Sequence, residues 1–265
     1  MYKFNYQKVS SIKEAEKLLN EDEEAKIIAG GQTLIPTMKQ RLASPSVLID
    51  IGGISDLNFI KEENDLIVIG ANTTHFEVAS SDLIKNKIPS LSDLAEGIGD
   101  PHVRNMGTIG GSISNNDPTA DYPAACLSLG AVIKTNKRDI ISSDFFVGLF
   151  ETALDKNEIV VSISFNIPEK SSYMKFPNPA SRYAMAGVYL SIFKDKITVS
   201  VTGASENGVF QWKEMEDILS ENLSVDNAKK VNLSTDGIMS DLHADSIYRA
   251  NLVEVMAIRA VENLK

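Results

Sequence analysis

The sequence is poor in residues that bind metal ions or form disulfides. Cys126 is the single cysteine among 265 residues, so no disulfide can form within the chain. A cysteine-rich zinc site and a four-cysteine iron–sulfur cluster are excluded for the same reason. The histidines His75, His102 and His243 lie far apart and lack HExxH-like spacing, so a metal site would have to be assembled in space. If the protein carries out redox chemistry, we expect an organic cofactor to supply it.

Long apolar runs and an excess of basic charge are also missing. The chain has no stretch of about 18 apolar residues, and its first residues lack the apolar core of a signal peptide. We therefore predict a cytoplasmic protein without a membrane span. The 26 Lys and Arg residues are outnumbered by 36 Asp and Glu, giving a net charge of −10. Without a basic run, nucleic acid and anionic membranes are poor partners, although backbone N–H groups could still form a local phosphate site.

Apolar periodicity predicts helices and strands in alternation over the first part of the chain. Ser11 and Glu14 fit a capping box at the start of a helix. Helices are also predicted from Pro89 to Ile98 and over 121–129, whereas residues 99–118 show no regular periodicity. Strands are predicted at 26–29, 47–51, 65–74, 130–135 and 158–167.

The last third of the chain has a different pattern. Residues 186–193 and 197–206 alternate apolar and polar positions, as antiparallel strands do. Residues 245–264 place apolar side chains on one stripe, which predicts an amphipathic helix. The segment 168–172 is rich in Pro, Lys and Ser and is the best candidate for a linker, so we predict a domain boundary near residue 170.

A first glycine turn follows the predicted strand at 26–29. The sequence Ala29-Gly30-Gly31-Gln32-Thr33-Leu34-Ile35-Pro36 is neither a Walker A motif nor GxGxxG. Its paired glycines permit positive φ and remove side chains, so that consecutive N–H groups can converge on an anion. The alternative is a plain turn between a strand and a helix.

A second glycine turn, Thr108-Ile109-Gly110-Gly111-Ser112, lies within the segment that shows no periodicity. Such long irregular segments in compact domains are usually functional or disordered. Asn115, Asn116, Asp117 and Asp121 follow it and are suited to binding hydroxyl groups, although Asn-Asp-Pro also initiates ordinary turns. Either turn alone is weak evidence, but the two together suggest a diphosphate held from two sides.

These two turns in this order, AGGQTLIP at 29–36 and VRNMGTIGGS at 103–112, resemble the FAD-binding medium subunits of the molybdenum hydroxylases. That family includes the flavoprotein subunits of carbon monoxide dehydrogenase, xanthine dehydrogenase and nicotinate dehydrogenase. Further segments are similar along essentially the whole chain: KQRLASPSVLIDI at 39–51, the DPxxD pattern at 117–121, DFFVG at 144–148, YMKF at 173–176 and RYA at 182–184.

The resemblance implies an α+β fold of the vanillyl-alcohol-oxidase (PCMH) type. Residues 1–170 would form the FAD-binding domain, with subdomains of about 1–55 and 56–170 that enclose the flavin. Residues 171–265 would form a small α+β C-terminal domain, which the resemblance predicts to be shorter than is usual in the family.

The resemblance also implies a set of cofactor-binding residues and no catalytic or metal-binding residue. The two turns would carry the FAD diphosphate through backbone N–H groups. Asp121 would accept hydrogen bonds from ribityl or adenosine-side hydroxyls, and Ile159 would touch the cofactor through backbone and apolar contact. Lys175 and Tyr183 would lie near the flavin, although Tyr183 could equally be a half-buried core residue. The turn residues are Ala29, Gly30, Gly31, Gln32, Thr33, Leu34, Ile35, Pro36, Thr108, Ile109, Gly110, Gly111 and Ser112.

The function implied is that of an electron-transfer subunit in an oxidoreductase. Electrons would arrive from [2Fe–2S] centres of a small subunit, after hydroxylation at a molybdopterin-containing large subunit, and FAD would pass them to an external acceptor. A dimer of heterotrimers is expected. Two alternatives remain: a stand-alone FAD-dependent oxidoreductase of the same fold, and a non-catalytic nucleotide-binding module. The substrate and the electron acceptor are not indicated by this chain.

Overall fold

The computed structural model describes residues 1–265, which form helices together with three larger sheets and one two-stranded hairpin. The sheets follow one another along the chain, so each has its own stretch of sequence. No helix in it combines the length and the apolar character that crossing a membrane would require.

The first sheet belongs to the N-terminal unit and is parallel, in the order β1-β3-β2. Its elements are β1 (Asn5–Lys8), α1 (Ile12–Glu21), β2 (Lys26–Ile28), α2 (Leu34–Lys39) and β3 (Val47–Asp50). Ser11 caps α1, as the sequence predicts, because its hydroxyl accepts the Glu14 N–H at 3.3 Å. Ala15 and Leu19 of α1 pack on Ile49 of β3 in the unit's core.

The second sheet is antiparallel, in the order β4-β5-β10-β6-β7. Its strands are β4 (Ile60–Glu63), β5 (Leu66–Gly70), β6 (Val132–Thr135), β7 (Asp139–Ile141) and β10 (Val160–Asn166). Most of the connections are short helices, and a hairpin of β8 and β9 precedes β10. These elements are α3 (His75–Ser80), α4 (Asp82–Lys87), α5 (Pro89–Glu96), α6 (Pro101–Met106), α7 (Ile109–Asn115), α8 (Tyr122–Ser128), α9 (Ser142–Phe145), β8 (Phe146–Gly148) and β9 (Glu151–Thr152).

Two predictions about this unit are wrong. Residues 99–118 are largely helical, because Asp100 caps α6 and Thr108 caps α7 through bonds to the N–H groups of Val103 and Gly111. Helices of six or seven residues are too short to show apolar periodicity. The strand predicted over 65–74 ends at Gly70, and the next residues pair with the second turn instead.

The third sheet is antiparallel, in the order β11-β12-β13-β14, and α12 packs on it. Its elements are β11 (Lys170–Pro177), β12 (Ala184–Ile192), β13 (Ile197–Thr202), β14 (Phe210–Gln211), α10 (Lys213–Glu221), α11 (Val225–Ala228) and α12 (Ser246–Glu262). The two predicted strands and the predicted C-terminal helix are present. Asp245 caps α12 by accepting the Tyr248 N–H at 2.7 Å.

The linker predicted at 168–172 is wrong. β11 begins at Lys170, and Ser171 is fully buried beside α5, where its hydroxyl shares a hydrogen bond of 2.6 Å with Ser90. Ser90 also bonds the hydroxyl of Tyr189 on β12 at 2.6 Å. Polar composition suggested a flexible segment here, but the serines form a buried polar contact that joins the second and third sheets.

Candidate cofactor site

The first glycine turn connects β2 to α2 and leaves a row of N–H groups open. Gly31 has a φ of +68°, a left-handed conformation that glycine adopts without steric cost. None of the five backbone N–H groups from Gly30 to Leu34 donates within the chain; the next one, of Ile35, donates to Gly31 O at 3.0 Å. Backbone N–H groups normally find an acceptor. These are partly exposed, so they are available to an anionic ligand.

The first turn is in direct contact with Met106 and Gly107, the residues directly before the second turn. A Cβ added to Gly30 would lie 2.0 Å from Met106 O and 2.8 Å from the Cα of Gly107. Real Cβ atoms do not approach other atoms so closely, so only glycine permits this contact. Residues separated by more than seventy positions thus form one surface between the first and second sheets.

The second turn is the N-terminal end of α7 and offers fewer donors than the sequence suggests. Ile109 N–H donates to Thr73 O at 3.0 Å and Gly110 N–H to Ala71 O at 2.9 Å. The N–H groups of Gly111 and Ser112 bond to Thr108. The expectation that this turn supplies a second row of free N–H groups is therefore wrong.

Three features of the second turn still point to a ligand. The Thr108 N–H and the Ser112 hydroxyl donate to no acceptor in the chain. A Cβ on Gly111 would meet Thr108 Oγ1 at 2.9 Å and nothing else within 4 Å, so open space lies beyond it. Gly110 has another role, because its Cβ would lie 2.6 Å from the Cβ of Ala71.

A third segment, Ala71–His75, completes the support of the second turn and was missed from the sequence. It runs antiparallel to Gly107–Gly110, with Thr74 opposite Thr108, and His75 N–H donates to Gly107 O at 2.9 Å. The available signal was a run of small polar residues directly after a buried strand. The sequence pattern instead predicts that the strand continues through this run to residue 74.

His75 packs behind the second turn as a neutral side chain. Burial, together with the nearby Arg104 charge, lowers the pKa of His75 to about 4. The ring lies against Tyr122, with 5.4 Å between ring centroids. Its Nδ1 and the Tyr122 hydroxyl are both buried without a partner. A buried neutral imidazole fits a structural role next to the turn.

Asp121 and Lys175 meet at the wall of a cleft. The Lys175 Nζ lies 3.0 Å from Asp121 Oδ1 and donates to Gly97 O at 2.9 Å. The Tyr173 hydroxyl donates to the same Asp121 oxygen. Burial raises the pKa of Asp121, while the Lys175 ammonium and the Tyr173 hydroxyl oppose that rise. The cleft has a volume of about 410 Å³, and Gly97, Tyr173, Lys175 and Arg182 are among its lining residues.

Tyr183 reaches from the third sheet to the first turn. Its side chain is 41% exposed, so it is not a core residue. Desolvation raises its pKa, the Asp117 carboxylate adds to this, and the nearby Thr33 side chain lowers it in part. Tyr183 and Thr33 are therefore neighbours across the site.

Ile159 is not brought to the surface of the site. It is buried in the core of the N-terminal unit, and both of its backbone groups bond to Asn136, the N–H to Oδ1 at 2.8 Å and the C=O to the N–H at 3.0 Å. The strand that follows it does approach the second turn: Val161 O accepts the N–H of Ala71 at 2.9 Å. The structure gives Ile159 itself no free group for a cofactor.

A glycine turn with free N–H groups, closed against a second turn, is typical of a nucleotide-binding domain. Comparison with known families gives a match over residues 2–169 to the FAD binding domain in molybdopterin dehydrogenase. The chain belongs to this family: it is an oxidoreductase, and FAD is its cofactor.

Similar proteins match over nearly their whole length. The medium chain of glyceraldehyde dehydrogenase from Sulfolobus acidocaldarius is 34% identical, with 98% of each chain covered. The carbon monoxide dehydrogenase medium chain of Afipia carboxidovorans is 33% identical over 99% of this chain and 96% of its own. The expected shortening of the C-terminal domain stays a prediction.

Solved structures show the same agreement. A chain of the Cu,Mo-CO dehydrogenase in its cyanide-inactivated form superposes with a TM-score of 0.85 and 32% identity, covering 98% of this chain and 96% of that one. A chain of quinoline 2-oxidoreductase from Pseudomonas putida 86 gives a TM-score of 0.89 at 25% identity, with the same coverage.

The residues of the site fit FAD. The free N–H groups at 30–34 suit a diphosphate, and the glycines leave the space that a Cβ would fill.

Proposed function

We propose that the chain is the FAD-binding electron-transfer subunit of a molybdenum hydroxylase. In this proposal the cofactor accepts electrons from the [2Fe–2S] centres of a partner subunit and passes them to an external acceptor. The observation that carries the proposal is the row of five unpaired N–H groups at the first turn, which contacts Met106 and Gly107 directly before the second turn. The names of the relatives support it, since two of them are medium chains of dehydrogenases.

The turns would bind the diphosphate and orient the cofactor. The N–H groups from Gly30 to Leu34 would donate to its oxygens, and Thr108 N–H and the Ser112 hydroxyl would donate from the other side. Asp121 would accept a bond from a cofactor hydroxyl through its remaining acceptor capacity. We place Tyr183 and Lys175 beside the flavin ring, whereas the contact expected for Ile159 stays a prediction from the sequence. FAD, when bound, supplies the exchange between paired and single electrons, which no side chain of this protein provides.

The proposed arrangement is a FAD domain of the PCMH type. It comprises subdomains of about 1–55 and 56–170, which correspond to the first and second sheets, and a C-terminal domain over 171–265. The cofactor would lie between the two subdomains, because the glycine turns meet there. Tyr183 and Lys175 would reach it from the C-terminal domain.

We further propose that the partners are a molybdopterin-containing large subunit and a [2Fe–2S] small subunit, in a dimer of heterotrimers that works in the cytoplasm. The chain itself has no cluster of side chains that could hold a metal ion, so the metal centres would belong to the partners. Exposed apolar side chains support partner contacts: Val147, Leu149 and Phe150 are all at least 43% exposed on and beside the β8–β9 hairpin.

The test is purification of the tagged chain from its native host. We expect it to bring down two further subunits, with FAD, iron, acid-labile sulfide and molybdenum in the preparation. Its flavin should be bleached when a substrate of the molybdenum subunit is added without an external acceptor. A chain that purifies alone and whose FAD is reduced directly by a small substrate would contradict the proposal and support the stand-alone enzyme. Protein without flavin absorbance would contradict both.

A further inference from the structure

Three side chains form a hydrogen-bonded triad at the edge of the cleft, and all of them are nearly buried. Lys175 and Asp121 have side chains that are 9% and 5% exposed, and Tyr173 is 8% exposed. Lys175 and Tyr173 lie two positions apart on β11 and so share one face of that strand. Asp121 comes from the segment directly before α8. The triad therefore joins the third sheet to the second unit.

The carboxylate of Asp121 is partly occupied within the triad. Oδ1 accepts from the Tyr173 hydroxyl and lies 3.0 Å from Lys175 Nζ, and Oδ2 accepts from the same nitrogen at 3.1 Å. A carboxylate has about four acceptor sites, and two of them accept hydrogen bonds here. Asp121 is therefore the counter-ion of Lys175 and keeps acceptor sites for a cofactor hydroxyl.

The ammonium of Lys175 is held at the cleft wall by two groups. Besides Asp121, it donates to the carbonyl of Gly97, the residue at which α5 ends. An ammonium has three donors, and it lines the cleft together with Gly97 and Tyr173. In such a partly desolvated position a charge acts on its surroundings much more strongly than on the protein surface.

We infer that Lys175 sets the reduction potential of the bound cofactor and that Asp121 and Tyr173 are positioning residues that hold its ammonium against the cleft. The inference rests on the proposed function, because it requires FAD to lie beside Lys175. Reduction by the partner's electrons adds negative charge to the flavin whenever fewer protons than electrons arrive. A nearby positive charge stabilises that product and raises the potential, whereas the Asp121 carboxylate opposes it.

This electrostatic role predicts the sign of each variant's effect on the potential. Lys175→Gln keeps hydrogen-bonding capacity but removes the positive charge, so the potential should fall. The expected loss is about tenfold in the ratio of reduced to oxidised flavin, equivalent to about 30 mV for a two-electron couple. Asp121→Asn removes the opposing charge and should raise the potential. Tyr173→Phe removes one donor to the carboxylate and should lower it, by less than Lys175→Gln.

The experiment is spectroelectrochemical titration of the FAD-loaded protein, with FAD content and thermal melting measured on the same samples. Lys170→Gln is the matched control, because Lys170 starts the same strand but is exposed. Tyr173→Phe should have no further effect in the Lys175→Gln background, since residues acting through one another are not additive.

Two results would overturn the inference. In the first, the reduction potentials of Lys175→Gln and Asp121→Asn both equal the potential of the control Lys170→Gln. The other is a shift of the same sign in both charge variants, which would indicate a general loosening of the site. If Lys175→Gln fails to fold, the upward shift in Asp121→Asn decides alone. A wild-type protein that binds no FAD would instead contradict the proposed function.

Discussion

The contact at Gly30 allows the account to be tested with a single methyl group. In Gly30→Ala the new Cβ would lie 2.0 Å from Met106 O, 2.6 Å from Met106 C and 2.8 Å from the Cα of Gly107. All three are backbone atoms, which cannot move aside as the end of a side chain can. Real Cβ contacts stay beyond 3.0 Å, so the two turns must separate by about 1 Å.

The expected result is weaker FAD binding in a protein that still folds. Overpacking of this kind costs about 1–3 kcal/mol, which corresponds to about 5- to 150-fold in affinity if it falls on the bound state. The assay is titration of the apoprotein with FAD, followed by flavin fluorescence, together with thermal melting. Gly148→Ala is the matched control, because its Cβ would meet only Glu151, at 3.4 Å or more. Wild-type FAD affinity in Gly30→Ala would show that the contact with Met106 and Gly107 does not support FAD binding.

The remaining expectations concern separate features. Ser112→Ala should weaken FAD binding by about 1.5–3 kcal/mol, which is the contribution of one hydrogen bond to a charged group, and should leave the melting temperature unchanged. An FAD affinity equal to that of the wild type would show that Ser112 does not bind the cofactor. The pKa of His75 is about 4 in the folded state and 6.5 in the unfolded state, so the unfolded state binds the proton more readily. The free energy of unfolding should therefore fall as the pH drops from 6.5 to 4, by up to about 1.4 kcal/mol per pH unit. Urea titrations of wild type and His75→Gln at pH 7 and 5 measure this, and an equal loss in both proteins would assign it elsewhere. Phe150 has a φ of +55° and is 60% exposed, so Phe150→Gly should raise the melting temperature while Leu149→Gly, at a normal φ, should lower it.

Local signals explain which parts of the fold could be predicted from the sequence. The capped helix α1 and the amphipathic helix α12 are long enough for their apolar stripes to be read directly. The short helices α6 and α7 are held by caps and tertiary contacts, which leave no periodicity in so few residues. The serine-rich start of β11 was misread because its hydroxyls bond across a buried contact with α5, and composition does not report such partners.

In the site, too, features set by neighbouring residues could be predicted from the sequence, whereas contacts between distant residues could not. The sequence could locate the first turn, since adjacent glycines after a strand permit the left-handed φ of Gly31, but the need for glycine at position 30 comes from the distant Met106 and Gly107. Gly110 lies in the second turn as predicted, but the structure requires glycine there because the residue packs against Ala71, not because a ligand needs the space. The Gly110 N–H donates to the carbonyl of the same Ala71. The pairing of Asp121 with Lys175 joins positions 54 residues apart on different sheets, which no spacing rule indicates. Ile159 stays a prediction that the burial of its side chain does not favour.

The most direct test of the central claim is a crystal structure of the protein with FAD bound. The diphosphate oxygens should lie within hydrogen-bond distance of the N–H groups of Gly30 to Leu34, with Ser112 on the opposite side. A diphosphate bound elsewhere, with these N–H groups facing only water, would contradict it.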